Sequence, residues 1–276
     1  MEAAPDGTVL SRLHSAGGLA GIGLVPGAAG RVARLAGDAG DEPSMADLVQ
    51  TIRARPESLP QTPEELAGLQ ASARVLLATM FDDEPAGPVD LLIGAGRTIA
   101  AAPRPAQAAR MLIDGVRPVG VTQLAVDSAA ILGPLGSLEG DELAEGLELL
   151  GDDALTPLGT AVISRGGSPG HVAMRVAVHR SGWPTTPPVE VRAGQVQVVP
   201  LARGQEAELV IEPGPGISLG TSRRSPRITA RATGGSVGIV LDGRGVPIAM
   251  PRRADDRREV LAGWRDAFAR EGEAVE

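Results

Sequence analysis

DLLIGAGRTIAAAPRPAQAARMLIDGV, Asp90–Val116, decides how the fold is read. An apolar run climbs into a glycine-bearing turn, and a segment with helical spacing follows. Val89–Ile93, apolar apart from Asp90, reads as a strand of the kind buried in a parallel sheet. Pro105–Val116 opens on a proline, which suits the first turn of a helix, and Thr122–Val126 is a second strand. The order strand, glycine loop, helix, strand is βαβ-like, and such a junction is where backbone approaches a nucleotide.

The loop Gly94-Ala95-Gly96-Arg97-Thr98-Ile99 supplies the first two glycines of a dinucleotide fingerprint, but Ile99 stands where the third belongs. An isoleucine there crowds the approach of helix to strand. Asp114 lies at the distance of a ribose-binding acid, yet near the end of the helix rather than at the tip of the second strand. The residues alone leave open a dinucleotide site of oxidoreductase type, a tight turn on a ligand-free scaffold, or another nucleotide contact.

Composition narrows the classes. The net charge is −8 and aromatics make up 1% of the chain, which argues against a nucleic-acid partner held by basic patches or base stacking. There is no Cys, so disulfides, thiolate catalysis and thiolate metal sites are excluded. Lys and Asn are absent too, so all 26 basic residues are Arg and no lysine is available for a Schiff base or a phosphate loop. No window approaches the ~20 apolar residues of a membrane span, and no signal pattern opens the chain. A cytoplasmic protein without a membrane partner is expected.

Upstream of the loop, Ser44-Met45-Ala46-Asp47 reads as a capping box for a helix to about Arg53. Thr62-Pro63-Glu64-Glu65 reads as a stronger one, opening a helix with Leu66, Leu69, Ala73, Leu76, Leu77 and Met80 on one stripe. Gly140–Leu150 reads as a further helix. From about Ser164 the pattern turns to period two, with strands expected over Val172–His179, Val189–Leu201, Ala207–Glu212, Arg227–Ala232 and within Ser236–Met250. Val260, Leu261, Trp264 and Phe268 share a face of a terminal helix.

Other motifs read as structure. Gly234-Gly235-Ser236-Val237-Gly238 matches G-x-S-x-G, but a strand and hairpin follow where a nucleophile elbow needs a helix, and His14, His171 and His179 all precede it. His171 and His179 lie eight residues apart with Arg175 between them, an exposed strand face rather than a metal set. Asp82-Asp83-Glu84 and Asp152-Asp153 solvate turns, and Thr221–Arg227 is a basic loop suited to solvent or to an anionic partner.

The ordered motifs together resemble a family, the L protein encoded beside cobalamin-dependent glutamate mutase, or methylaspartate mutase accessory protein. The resemblance rests on Arg55–Arg74, Asp90–Ser128, LGPLGSL (Leu132–Leu138), LTPLGTAV (Leu155–Val162), VEVRAGQVQVVPL, Gly234–Pro251 and REVLAGW (Arg258–Trp264), running from about residue 50 to the end. It implies a fold of the actin-like ATPase superfamily, two lobes clamped on ATP, and a chaperone or reactivating role for the mutase.

On that resemblance the expected fold is a partial actin-like, ribonuclease-H-like α/β lobe followed by an all-β domain and a C-terminal helix. The segments are 1–86, helical and an incomplete remainder of a lobe; 87–165, the α/β half-lobe; 166–252, the β domain; and 253–276, the helix. Gly94, Ala95, Gly96, Arg97 and Thr98 become the adenosine-side loop, with ATP as the implied cofactor and no metal of the chain's own. Arg97 replaces a further glycine of the family pattern, setting a bulky cation where backbone meets nucleotide. The Asp-x-Gly-Ser/Thr phosphate loop of the first lobe does not occur in these residues. Phosphoryl transfer needs several elements positioned together, so catalysis by this chain alone is not expected. The expected partners are mutase subunits and an N-terminal ATPase lobe supplied from elsewhere.

Overall fold

The computed structural model describes residues 18–36, 42–81, 87–138, 140, 142, 145, 155–168, 170–184, 186–220, 226–246 and 248–269. A 3-10 helix, Gly18–Leu24, leads into α1 (Ala28–Ala36), α2 (Glu42–Ala54) and α3 (Pro63–Met80). Ile22, Val32, Val49, Ala71 and Val75 close a small core among them. α2 begins at Glu42 with Pro43 in its first turn, so Ser44 is a helical residue and not the expected cap.

α3 starts where its sequence signals. Thr62 Oγ1 accepts the Glu65 N–H at 3.2 Å, and Glu65 Oε2 accepts the Gln61 N–H at 2.6 Å. Thr62→Ala is expected to cost about 1 kcal/mol, read as a shift in the urea midpoint. The expected leucine stripe is only partly the buried face. Ala73 and Leu77 are buried, but Leu66, Leu69, Leu76 and Met80 are half-buried, and the tightest positions are Gly68, Ala71, Ser72 and Val75. The reason is that α3 is wedged between two layers, the helical cluster on one side and α5 on the other. Close helix approach needs small residues: a Cβ on Gly68 would lie 2.2 Å from Leu48 Cδ2, and one on Gly115 would lie 2.6 Å from Leu77 Cβ.

The βαβ-like unit comprises β1 (Leu91–Gly94), α4 (Arg97–Ala100), α5 (Pro105–Val116) and β2 (Gly120–Val126). β1 and β2 pair in parallel, Leu92 opposite Leu124. Beyond them come α6 (Leu132–Leu135), β3 (Thr156–Ile163), β4 (Val172–His179), β5 (Val189–Arg192), β6 (Val196–Val199), β7 (Glu206–Pro213), β8 (Ile228–Thr233), β9 (Gly238–Asp242) and α7 (Ala254–Ala269). The chain is therefore a mixed α/β protein with two sheets and a C-terminal helix. The helix expected over Gly140–Leu150 falls largely outside the described residues, as do Asp82-Asp83-Glu84, Asp152-Asp153 and Thr221–Ser225.

The first sheet has the order β1-β2-β3-β9-β6, mixed in direction, and the second is β5-β4-β7-β8, antiparallel throughout. β6 and β9, from the segment 166–252, thus extend the sheet that β1 to β3 begin. Alternation along β9 shows how the layers stack. Ile239 and Leu241 meet Met174, Val176, Leu209 and Ile211 of the second sheet, whereas Val240 turns to the helical side. There Leu112, Ile113 and Val116 of α5 join Leu261, Trp264 and Phe268 of α7. A strand covered on both faces reads as a continuous apolar run, as GIVL does.

Two expectations are corrected. Val189–Leu201 is not one strand: β5 and β6 lie in different sheets, and the chain crosses between them at Ala193-Gly194, where Gly194 takes φ +93°. β3, Thr156–Ile163, is a strand where none was expected, because TPLGTAVI carries Pro and Gly and shows no alternation. Both its faces are covered from Leu158 onward.

Candidate functional site

β1, β2 and β3 set the rim on which the glycine loop sits. Gly94 is in register with Val126, and Val126 with Thr156, so these three mark one end of the first sheet. The Gly94 carbonyl accepts the Asp127 N–H at 2.9 Å. A Cβ on Gly94 would lie 2.6 Å from Ile99 Cγ2 and 3.1 Å from Leu112 Cδ2. The fit therefore runs opposite to the dinucleotide pattern: the first glycine makes room for Ile99, rather than a third glycine making room for the strand.

Gly96 has φ +84° and ψ 152°, a region open essentially to glycine alone. A Cβ there would meet nothing within 4 Å, so conformation and not crowding requires the residue. Ala95, Gly96 and Arg97 are exposed and Thr98 is half-buried. Arg97 does not project freely from the loop. Its Nη2 meets Glu57 Oε2 at 2.7 Å and donates to the Pro56 carbonyl at 3.1 Å, drawing the cation to the connection between α2 and α3. Beside the loop, both carboxylate oxygens of buried Asp127 accept N–H groups, of Ile131 and Leu132, at 2.9 Å each. Ser128 Oγ and Thr156 Oγ1 lie 2.6 Å apart. The rim thus gathers an exposed backbone turn, two hydroxyls and a carboxylate already committed to capping.

Asp114 is not part of this rim. It lies nine residues along α5 from Pro105, about 13 Å at the helical rise, toward the end of the sheet marked by Gly120, Ile163 and Asp242. There it enters a buried ionic cluster that the sequence did not reveal. Asp114 Oδ1 lies 2.7 Å from Arg244 Nη2, and Oδ2 lies 3.2 Å from Arg74 Nη1 and 3.4 Å from Arg110 Nε. Asp242 binds Arg244 as well, at 2.6 Å through Nη2. The Arg244 guanidinium stacks 4.9 Å from the Trp264 ring centroid, Trp264 Nε1 donates to the Gly194 carbonyl, and Arg74 donates to the Leu35 carbonyl.

Burial alone would raise the Asp114 carboxyl, but Arg244, Arg110 and Arg74 together hold it well below the usual carboxylate range. Burial pushes Arg74 down, with Asp114 opposing. Burial and then the Arg74 cation push Arg110 down. Arg244 is raised in spite of its burial, because Asp114 and Asp242 both face it. The cluster ties α3, α5, the turn after β9, and α7 together. A ribose-binding role for Asp114 is incompatible with this position. The signal for the cluster was charge set in or against an apolar run: Arg74 in SARVLL, Asp114 in MLIDGV, and Asp242 with Arg244 closing GIVLDGR.

The remaining motifs are structural. Ser236 donates to the Pro157 carbonyl at 3.3 Å on the connection from β8 to β9, and a Cβ on Gly235 would lie 2.3 Å from the Leu158 carbonyl carbon. The glycines of G-x-S-x-G let two backbones cross. His171 and His179 are exposed at the ends of β4, and Arg175 between them pairs with Glu190 at 2.9 Å. Arg227 of the basic loop pairs with Glu212 at 2.6 Å. Among the described residues no group of three or more His, Asp or Glu gathers as for a metal ion, and no helix is long and apolar enough to cross a membrane. No protein-family model, no curated protein and no solved structure matches the chain.

Proposed function

We propose that the chain is a non-catalytic accessory protein of a cobalamin-dependent mutase of the glutamate mutase type, acting in the cytoplasm, with Gly94–Thr98 as its adenine-nucleotide contact. One observation carries the nucleotide part. The loop leaves a strand of a parallel pair, holds a glycine-only conformation at Gly96 with open space above it, and has its one large side chain tied to Glu57. A backbone surface of that kind suits the close approach of a nucleoside.

On this reading β1, α5 and β2 belong to the adenosine side of an actin-like, ribonuclease-H-like lobe. Gly94–Thr98 would hold the nucleoside edge, and Ser128 and Thr156 would offer hydroxyls beside it. Bound ATP would supply a free-energy difference between conformations of the assembly, and this chain's share is binding and docking. Its partners are then the mutase subunits and a phosphate-binding lobe. A dinucleotide reading loses support because Asp114 is committed to Arg244 and Arg74 at the far end of the sheet.

Thermal unfolding with ATP and, separately, with NAD tests the loop. ATP at ~100 times its Kd is expected to stabilise the chain by about 2.7 kcal/mol, and Gly96→Val to abolish that gain. Stabilisation by NAD in place of ATP would overturn the reading in favour of a dinucleotide enzyme. No shift with either would favour a ligand-free scaffold.

A further inference from the structure

α2 and α3 form a helical hairpin whose mouth does not close. They touch where Gly68 admits Leu48 and Met45, and toward the connection 55–62 they part around a groove of about 740 Å³. Met45, Leu48, Ile52 and Leu69 give it an apolar floor. Met45 and Ile52 are buried in the helical core beneath, so the apolar surface within reach of a partner is that of half-buried Leu48 and Leu69 together with Leu59. The rim carries Asp47, Glu64 and Glu65 against a single arginine, Arg55, and Leu59 stands at the lip with 65% of its surface exposed.

We infer that this groove docks an amphipathic helix of a partner protein, with apolar anchors on one face and arginine or lysine residues flanking them. The shape argues for a helix. Small-molecule sites enclose most of their ligand, whereas here Ser44, Asp47, Thr51, Arg55, Ser58 and Leu59 are exposed and leave the groove open to solvent between two helices. The charge argues for a basic one. In a chain of net charge −8, the described lining residues set the exposed carboxylates of Asp47 and Glu64 against one cation, Arg55, while Glu65 already accepts the Gln61 N–H. In helix-in-groove recognition the bound helix supplies the i, i+3, i+4 and i+7 anchors, the groove supplies apolar surface, and complementary charges flank them. The wall is also held in advance, since Arg97 binds Pro56 and Glu57 across the connection, which lowers the ordering cost of docking. The inference stands apart from the nucleotide reading and survives its failure.

The test uses the full chain and labelled peptides of about 16 residues that share one leucine face, one peptide with arginine on its polar face and one with glutamate. Fluorescence anisotropy is expected to give micromolar binding of the arginine peptide, weakening with salt, and at least about tenfold weaker binding of the glutamate peptide. The exposed pair Asp47→Arg and Glu64→Arg is expected to weaken the arginine peptide by about tenfold with the chain still folded cooperatively, the unfolding midpoint falling only slightly because Glu64 lies in the first turn of α3. Amide exchange is expected to slow over residues 44–69. Equal binding of the two peptides, no binding of the arginine peptide, or protection elsewhere would each overturn the inference. So would self-association protecting residues 44–69, which would make a second copy the occupant.

Discussion

Asp114→Ala is expected to lower stability by about 3–5 kcal/mol, the largest loss we anticipate from a single side-chain truncation. The carboxylate faces Arg74, Arg110 and Arg244 in the interior, and its removal leaves three cations with Asp242 as their remaining counter-charge. A buried charge that loses its partner cannot recover its hydration without opening the packing between α5 and α7. The effect is therefore far larger than for a surface ion pair. Arg110→Met makes the contrast. Its guanidinium is the member that Arg74 repels, and losing it is expected to change stability by no more than about 1 kcal/mol. Urea midpoints of the two variants at neutral pH check both; similar losses would show that packing, not charge balance, sets the cost.

The same cluster fixes a pH dependence. The Asp114 carboxyl lies below its unfolded value in the fold, so the unfolded chain binds the proton more readily. Its contribution is complete above about pH 5 and is lost as pH falls through the acid range toward the folded value. Wild-type midpoints should therefore drop as pH falls from about 5 to about 2.5, and Asp114→Ala should show a shallower drop. Parallel pH profiles would contradict the assignment.

Gly159→Ala is expected to be comparably damaging through the backbone. Gly159 takes φ +132° opposite Gly238 in the β3–β9 pair, and a Cβ would stand 2.0 Å from the Gly238 carbonyl oxygen. Neither strand can retreat, since β9 lies between β3 and β6 and a Cβ on Gly238 would itself stand 2.6 Å from the Val199 carbonyl oxygen. The conformation costs about 1–3 kcal/mol and the clash about 1–3 more. Gly27→Ala is the control. Its φ of +64° is also positive, but a Cβ there meets no atom within 4 Å, so about 1–2 kcal/mol is expected. Equal losses at the two positions would mean that the β3–β9 pair is not tight at Gly159.

These residues also show what a linear reading can reach. Thr62-Pro63-Glu64-Glu65 announced α3, Pro105–Val116 matched α5 end to end, and the face of Leu261, Trp264 and Phe268 was legible because capping and helical period are local properties. Sheet membership was not. β5 and β6 share one alternating run yet part into two sheets, and β3 hides its strand character because both its faces are covered. Of the candidate site, Gly94 and Gly96 were visible as a turn between strand and helix. That Arg97 would reach back to Glu57 was not, since the pair is 40 residues apart and depends on how α3 seats. The ionic cluster draws its members from residues 74 to 244, so no local pattern joins them.

Sedimentation velocity of the chain with purified subunits of a cobalamin-dependent glutamate mutase, with and without ATP, decides whether the chain docks on that enzyme. A complex with the mutase is expected, whose population changes when ATP is added to wild type and does not change for Gly96→Val. Independent sedimentation of chain and mutase under every condition would contradict it.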